Sequence, residues 1–211
     1  MEAFSVKNDT KRIKTGIMGG TFNPIHNGHL AIAQSAYETV GLDKVLFMPS
    51  GNSYMKKHVL ALSKRLDMVR LAIREYPWFE LSLVEAEREG NTYTCETLQQ
   101  LTRENPEVSY YFIMGADSLF HIEEWREPER IFSMAALVCA VREDYGLERL
   151  RRKGEELARR GAEIVYLNTP KIPISSTQIR ARVRGGLSIS ELVPERVAEY
   201  ITQEHLYYEE N

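Results

Sequence analysis

Short apolar segments of strand length alternate with longer amphipathic segments along most of this chain of 211 residues. Residues 135–141 are almost continuously apolar, which is typical of a strand buried on both faces of its sheet. Such a strand needs helices on either side, so the alternation predicts an α/β fold. We therefore predict a Rossmann-like, doubly wound, mostly parallel sheet with helices on both faces. Ligands of such sheets bind at the carboxyl ends of the strands, here the loops after Met18, Met48, Met114 and Leu167.

The same patterns predict six strands and six helices. The predicted strands cover residues 13–18, 44–48, 79–84, 108–114, 135–141 and 163–167. The predicted helices cover residues 28–40, 63–76, 94–104, 143–160, 175–184 and 194–205. A single domain accounts for residues 1–211, with a polar leader at residues 1–11 and an acidic tail at residues 207–211.

Charge and cysteine content narrow the classes of partner. The formal net charge is -3, so we expect no nucleic acid partner. Cys95 and Cys139 form no CxxC pair, and their number favours neither a disulfide framework nor a structural zinc site. No apolar run approaches the roughly 18 residues that a membrane span needs, and residues 1–14 show no signal-peptide pattern. We therefore expect a cytoplasmic protein with no membrane partner.

A glycine-rich loop follows the first predicted strand. Gly19 and Gly20 permit a tight turn and the close approach of a ligand. The helix that begins near Gly28 offers free backbone N–H groups at its positive dipole end. His26 and His29 are three positions apart, so both rings can face one side of the helix start and donate hydrogen bonds to a polyphosphate. A structural role for the histidines and a zinc site are the alternatives, but no cysteine or further histidine lies at ligand spacing.

A second anion site is predicted near the other end of the chain. Ser175 and Gln178 form a capping-box pattern, which predicts that a helix starts here. Ser176 and Thr177 add hydroxyl groups to the free N–H groups of that helix, and Arg180 follows one turn later. Taken alone, the pattern is at least as typical of a well-capped surface helix with an exposed arginine. Together with the first loop, it favours a clamp for nucleotide phosphates.

Both segments resemble motifs of the nucleotidyltransferase superfamily, the (H/T)xGH loop at residues 26–29 and the ISSTxIR motif at residues 174–180. Over about residues 13–207, the chain resembles the bacterial nicotinic acid mononucleotide adenylyltransferases. The resemblance implies adenylyl transfer from ATP to nicotinic acid mononucleotide in NAD biosynthesis, with Mg²⁺ bound chiefly by phosphates and water and with no protein ligand to the metal. It implies catalytic roles for His26, His29, Lys56 and Arg180. It places ATP at Gly19, Gly20, Thr21, Phe22, Gly115, Asp117, Ser175, Ser176, Thr177 and Arg180.

The acceptor site is implied by three further residues. By the same resemblance, Trp125 stacks on the nicotinate ring, and Thr94 with neighbouring backbone amides recognises the pyridine carboxylate. Tyr93 belongs to the same acceptor site. A half-buried core position is the alternative for Trp125, and a helix N-cap is the alternative for Asp117. Residues 53–56 depart from the Pro-Pro-His-Lys of the family and keep only the lysine.

Three other functions stay open at this point. Nicotinamide mononucleotide or phosphopantetheine could replace nicotinic acid mononucleotide as the acceptor, and a non-catalytic nucleotide sensor could retain the same phosphate cradle. The sequence also leaves a homo-oligomer open.

Overall fold

The computed structural model of the chain describes residues 12–51, 59–141, 147–168 and 173–208. Its strands are β1 (Ile13–Gly20), β2 (Lys44–Pro49), β3 (Phe79–Leu81), β4 (Val108–Gly115), β5 (Ala135–Ala140) and β6 (Ile164–Leu167). Its helices are α1 (Asn27–Val40), α2 (Leu62–Ile73), α3 (Thr94–Glu104), α4 (Ala116–Phe120), α5 (Pro128–Met134), α6 (Leu147–Ala158), α7 (Ser176–Arg184) and α8 (Glu195–Gln203). A short 3₁₀ helix, Ile122–Glu124, lies between α4 and α5.

The six strands form one sheet in the order β3-β2-β1-β4-β5-β6, and each adjacent pair is parallel. The first half of the chain builds outward from β1 to one edge, and the second half builds outward from β4 to the other. The predicted Rossmann-like, doubly wound fold is therefore confirmed. The direction of winding reverses between β1 and β4, which is where such sheets open a crevice for ligands.

Helices cover both faces of this sheet, as the sequence predicted. The side chains of a strand alternate between faces, and the neighbouring residues Ile17 and Met18 accordingly belong to two different apolar clusters. The cluster of Met18 includes buried residues of α1, α2, α7 and α8, whereas the cluster of Ile17 includes those of α3, α5 and α6. Of the helices described, none combines the length and the apolar character needed to cross a bilayer.

The main departure from the predicted elements lies between β4 and β5. Residues 116–134, for which no element was predicted, form α4, the 3₁₀ helix and α5. Each of these is at most seven residues long, so none repeats the helical period often enough to be visible in the sequence. At the sheet edge, β3 ends at Leu81 rather than at residue 84.

Candidate active site

The central strands β1 and β4 end side by side at the carboxyl edge of the sheet. Met18 is in register with Ile113, two positions before the ends of both strands at Gly20 and Gly115. A Cβ atom added to Gly115 would meet no atom within 4 Å, so the space beside this glycine is open. The loops expected to line the site therefore start from this edge.

The two histidines of the first loop lie against each other at the start of α1. His26 is the N-cap residue, and its ring stacks on that of His29 with the centroids 3.7 Å apart and the planes at 27°. The rings therefore face the same side, as predicted. The backbone N–H of His26 donates to Nδ1 of His29 at 3.2 Å. Because Nδ1 accepts this bond, the neutral imidazole of His29 carries its proton on Nε2 and can donate from there.

The predicted capping box at the start of α7 is confirmed on the serine side. Ser175 is the N-cap residue, and its Oγ accepts a hydrogen bond from the backbone N–H of Gln178 at 3.2 Å. Arg180, one turn later, donates from Nη2 to Oγ1 of Thr177 at 3.2 Å. The hydroxyl and guanidinium groups expected in the clamp thus lie together at this helix start.

Helix α7 is docked on the first loop, although the two are far apart in sequence. Oγ of Ser176 donates to the carbonyl of Pro24 at 2.9 Å, across 152 positions. Nη1 of Arg180 donates to the carbonyl of Asn23 at 2.8 Å. The N-terminus of α7 therefore lies beside the loop that leads into α1. Two helix N-termini and an arginine make this region electropositive, and the histidine pair adds a ring N–H donor, so the region suits a polyphosphate.

Asp117 lies two residues after the end of β4, at the edge of the sheet where ligands of such folds bind. Gly115 is the N-cap residue of α4, and Asp117 is the second residue of that helix. The N-cap interpretation of Asp117 is therefore wrong, because the backbone becomes helical one residue earlier, at Ala116. The side chain of Asp117 is exposed, and its position leaves the predicted ribose contact open.

The residues predicted to bind the acceptor pack around the side chains of Phe112 and Arg126. The half-buried Trp125 packs edge-on against Phe112, with the ring centroids 5.8 Å apart. The same Phe112 ring would lie 3.6 Å from a Cβ atom on Gly19, so one ring separates Trp125 from the first loop. The neighbouring Arg126 places its guanidinium 4.6 Å from the ring centroid of Tyr93. Tyr93 immediately precedes α3, whose first residue is Thr94.

Two site-building residues escaped the sequence analysis. Arg65, on the buried face of α2, is only 2% exposed and contacts the loop through its guanidinium. Its position, three and four residues before the buried Met68 and Val69, gave a usable clue, because the helical period assigns it to the core. Tyr207, the first residue of the predicted acidic tail, is buried and donates from its hydroxyl to Oδ1 of Asn23 at 2.9 Å.

The remaining predicted site features concern Lys56 and metal binding. Lys56 lies outside the described residues. In the described part of the chain, no three histidine, cysteine or acidic side chains are grouped to hold a metal, so the zinc alternative for the histidine pair has no third ligand there. Both cysteines are buried, and burial raises the pKa of Cys139 to about 12.

Comparisons with known proteins agree with this geometry. The model of the cytidylyltransferase-like family matches residues 17–182. A relative from Lachnoclostridium phytofermentans, described as "Probable nicotinate-nucleotide adenylyltransferase", is 42% identical over 197 residues, which cover 92% of this chain and 98% of the relative. A protein of the same description from Clavibacter sepedonicus is 37% identical, covering 94% of this chain and 96% of its own.

Solved structures show the same fold. The nicotinic acid mononucleotide adenylyltransferase of Plasmodium falciparum complexed with NaAD superimposes with a TM-score of 0.79, at 20% identity, over 94% of this chain and 98% of that one. The same enzyme complexed with APC gives a TM-score of 0.76 at 19% identity, again over 94% and 98%.

Proposed function

Because the chain belongs to the cytidylyltransferase-like family, together with the nicotinate-nucleotide adenylyltransferases, we propose that it transfers an adenylyl group from ATP to nicotinic acid mononucleotide. The products are nicotinic acid adenine dinucleotide and pyrophosphate, and the reaction is a step of NAD biosynthesis. The observation that carries the proposal is the docking of α7 on the first loop through Ser176 and Arg180. This contact joins two helix starts whose N–H groups suit phosphates, beside the strand edge at which ligands of such sheets bind.

In the proposed reaction, the 5′-phosphate of the acceptor attacks the α-phosphorus of ATP in line. A new P–O bond forms as the bond to the β-phosphate breaks, and pyrophosphate leaves. The attacking phosphate is already anionic at neutral pH, so no general base is needed. The protein then contributes positioning and charge stabilisation. ATP enters as its Mg²⁺ complex. The residues proposed to contact its phosphates supply cationic and N–H groups rather than a set of carboxylate ligands for the metal.

The geometry of His29 suits the donation of a hydrogen bond to a phosphate oxygen in this step. Its Nδ1 is occupied by the backbone N–H of His26, so Nε2 is the atom that can donate to a phosphate oxygen. Arg180 is held at the same loop by the carbonyl of Asn23 and supplies a fixed positive charge. Donors that are already oriented stabilise the growing charge without reorganising during the reaction. Lys56 stays a sequence-based candidate for a further cation.

Trp125, Tyr93 and Thr94 are proposed to select the acceptor. A tryptophan ring offers a large face for the pyridine. Donors at the start of α3 favour the carboxylate of nicotinate over a carboxamide, whose NH₂ group would face them without an acceptor. The contact of Arg126 with Tyr93 supports this assignment, because it ties the start of α3 to the segment of Trp125.

Pyrophosphate release from ATP, measured with each of three acceptors, tests the proposal. Nicotinic acid mononucleotide is expected to support the fastest release, ahead of its amide and of 4′-phosphopantetheine. A preference for either of the other two would assign a different acceptor. Release with none of them would favour a nucleotide sensor.

Single-turnover rates of His29→Ala test the catalytic assignment. Losing one donor to the developing charge is expected to slow the chemical step by about 100-fold or more. His29→Asn keeps a short side-chain acceptor for the His26 N–H and should be similarly slow. The matched control is His205→Asn, at an exposed position with a φ of 50° that asparagine tolerates. Near-normal turnover of His29→Ala at saturating ATP would rule out the proposed role.

The single-domain organisation, the cytoplasmic location and the absence of nucleic acid and membrane partners stay predictions of the sequence, as does the open possibility of a homo-oligomer.

A further inference from the structure

Arg65 of α2 is a buried cation that binds backbone carbonyl groups from three separate turns. Its Nε donates to the carbonyl of Leu60 at 3.1 Å. Its Nη1 donates to the carbonyls of Thr21 at 2.8 Å and Ser50 at 2.9 Å. Its Nη2 donates to the carbonyl of Gly51 at 3.1 Å. One guanidinium therefore connects the loop after β1, the turn after β2 and the residues that lead into α2.

Burying a guanidinium costs free energy that its hydrogen bonds must offset. Arg65 is 2% exposed, and burial lowers the pKa of its guanidinium, although an arginine keeps its charge in proteins. The described residues include no carboxylate in an ion pair with Arg65, and its hydrogen-bond partners are neutral carbonyls. Without the guanidinium, these four partly buried carbonyls would lose this donor. The arginine is therefore the element around which the turns are arranged.

The turn after β2 is also packed tightly on the side of the acceptor residues. A Cβ atom on Gly51 would lie 2.6 Å from the carbonyl oxygen of Glu85, so the two backbones are in close contact. The segment of Glu85 leads along the chain into Tyr93 and Thr94. Arg65 thus stands between the loop proposed to bind ATP, reached through Thr21, and the segment proposed to bind the acceptor.

We infer that Arg65 is a positioning residue for adenylyl transfer, which holds the loop at Thr21 and the turn at Ser50 and Gly51 in one fixed arrangement. This inference rests on the proposed function. In-line transfer requires the acceptor phosphate and the α-phosphorus to be aligned at close range, and a small misplacement of either slows the reaction. Each substrate still finds its own contacts when the two turns shift against each other. Losing Arg65 therefore lowers kcat while KM for both substrates changes little.

The planar fork of the guanidinium is essential to this role, which makes lysine the informative substitution. Lysine keeps the positive charge, but its single ammonium nitrogen cannot replace the three guanidinium nitrogens that bind the four carbonyls. The matched control is Arg70→Lys on the same helix, because Arg70 is exposed and donates to Asp67 one turn away. Both variants keep the net charge of the chain.

The experiment measures kcat and KM for ATP and for nicotinic acid mononucleotide in the full-length wild type, Arg65→Lys and Arg70→Lys. We expect Arg65→Lys to lower kcat by up to about 100-fold with little change in either KM, and Arg70→Lys to behave like the wild type. An unchanged kcat in Arg65→Lys, or a loss confined to KM, would overturn the inference. An inactive wild type would instead contradict the proposed function itself.

A second variant covers the case in which Arg65→Lys does not fold. Gly51→Ala pushes the same turn away from Glu85 and leaves Arg65 in place. The same loss of kcat at nearly constant KM is expected. A folded Gly51→Ala protein with normal kcat would show that the placement of this turn does not limit the reaction, and would overturn the inference as well.

Discussion

Tyr207→Phe removes one buried hydrogen bond from the loop after β1, which is proposed to bind ATP, and changes little else. The Tyr207 hydroxyl donates to Oδ1 of Asn23 at 2.9 Å, and both residues are 6% exposed. Burial raises the pKa of Tyr207 far above its ordinary value, so the hydroxyl remains a donor at any pH used for assay. The same Oδ1 also accepts a longer bond of 3.4 Å from the backbone N–H of Leu60, which the substitution leaves in place.

The expected cost follows from these partners. A net hydrogen bond contributes about 1 kcal/mol, and a buried acceptor that loses its better donor raises the loss to about 1–2 kcal/mol. For a chain of this size, the Tm should fall by about 2–8 °C in thermal unfolding followed by circular dichroism. Tyr208→Phe is the control, because Tyr208 is 45% exposed and its hydroxyl needs no protein partner. Equal Tm values for the two variants would refute the assignment of Tyr207 as a structural anchor of the loop.

Three further predictions concern the acceptor side of the site. Gly51→Ala brings a Cβ atom within 2.6 Å of the Glu85 carbonyl, so chemical denaturation should show a stability loss of about 1–3 kcal/mol, and an unchanged midpoint would contradict the close contact. Arg126→Ala removes the cation over the Tyr93 ring and the 3.0 Å ion pair with Glu96. The KM for nicotinic acid mononucleotide should therefore rise about 2- to 5-fold while the KM for ATP stays constant. A rise in both KM values would refute a role limited to the acceptor. Burial raises the pKa of Glu85, so its carboxylate costs stability at neutral pH, and the wild type should gain Tm relative to Glu85→Gln as the pH falls from about 7 toward the ordinary 4.5. A Tm difference independent of pH would contradict that shift.

The sequence predicted those parts of the fold and site that depend on local pattern. Residues 135–141 indicated a strand buried on both faces, and β5 lies inside the sheet between β4 and β6. The spacing of His26 and His29 predicted rings on one side of a helix start, which the stacked geometry confirms. Ser175 followed by Gln178 predicted the first turn of α7. In each case a few neighbouring residues determine the geometry.

Contacts between distant segments could not be predicted in this way. Nothing near Tyr207 in the sequence indicates that its partner is Asn23, 184 positions away. The carbonyls that bind Arg65 belong to backbone turns and carry no residue-specific pattern. Residues 116–134 are held by the packing of Trp125 against Phe112 of β4. Ion pairs of Glu123 with Lys153 of α6 and with Arg160, just after α6, also hold the 3₁₀ helix.

Tertiary contacts from distant residues hold the conformation of the loop after β1, which is proposed to bind ATP. Phe22 has a φ of 49°, in the left-handed region that a bulky side chain adopts only when its surroundings enforce it. Those surroundings come from three distant parts of the chain: Arg65 on α2, Arg180 on α7 and Tyr207 near the end of the described chain. A loop held from three sides keeps its donors oriented before the substrate arrives, and preorganised donors stabilise developing charge most effectively. Substitutions at Arg65 and Tyr207 should consequently affect catalysis from positions that need not touch ATP.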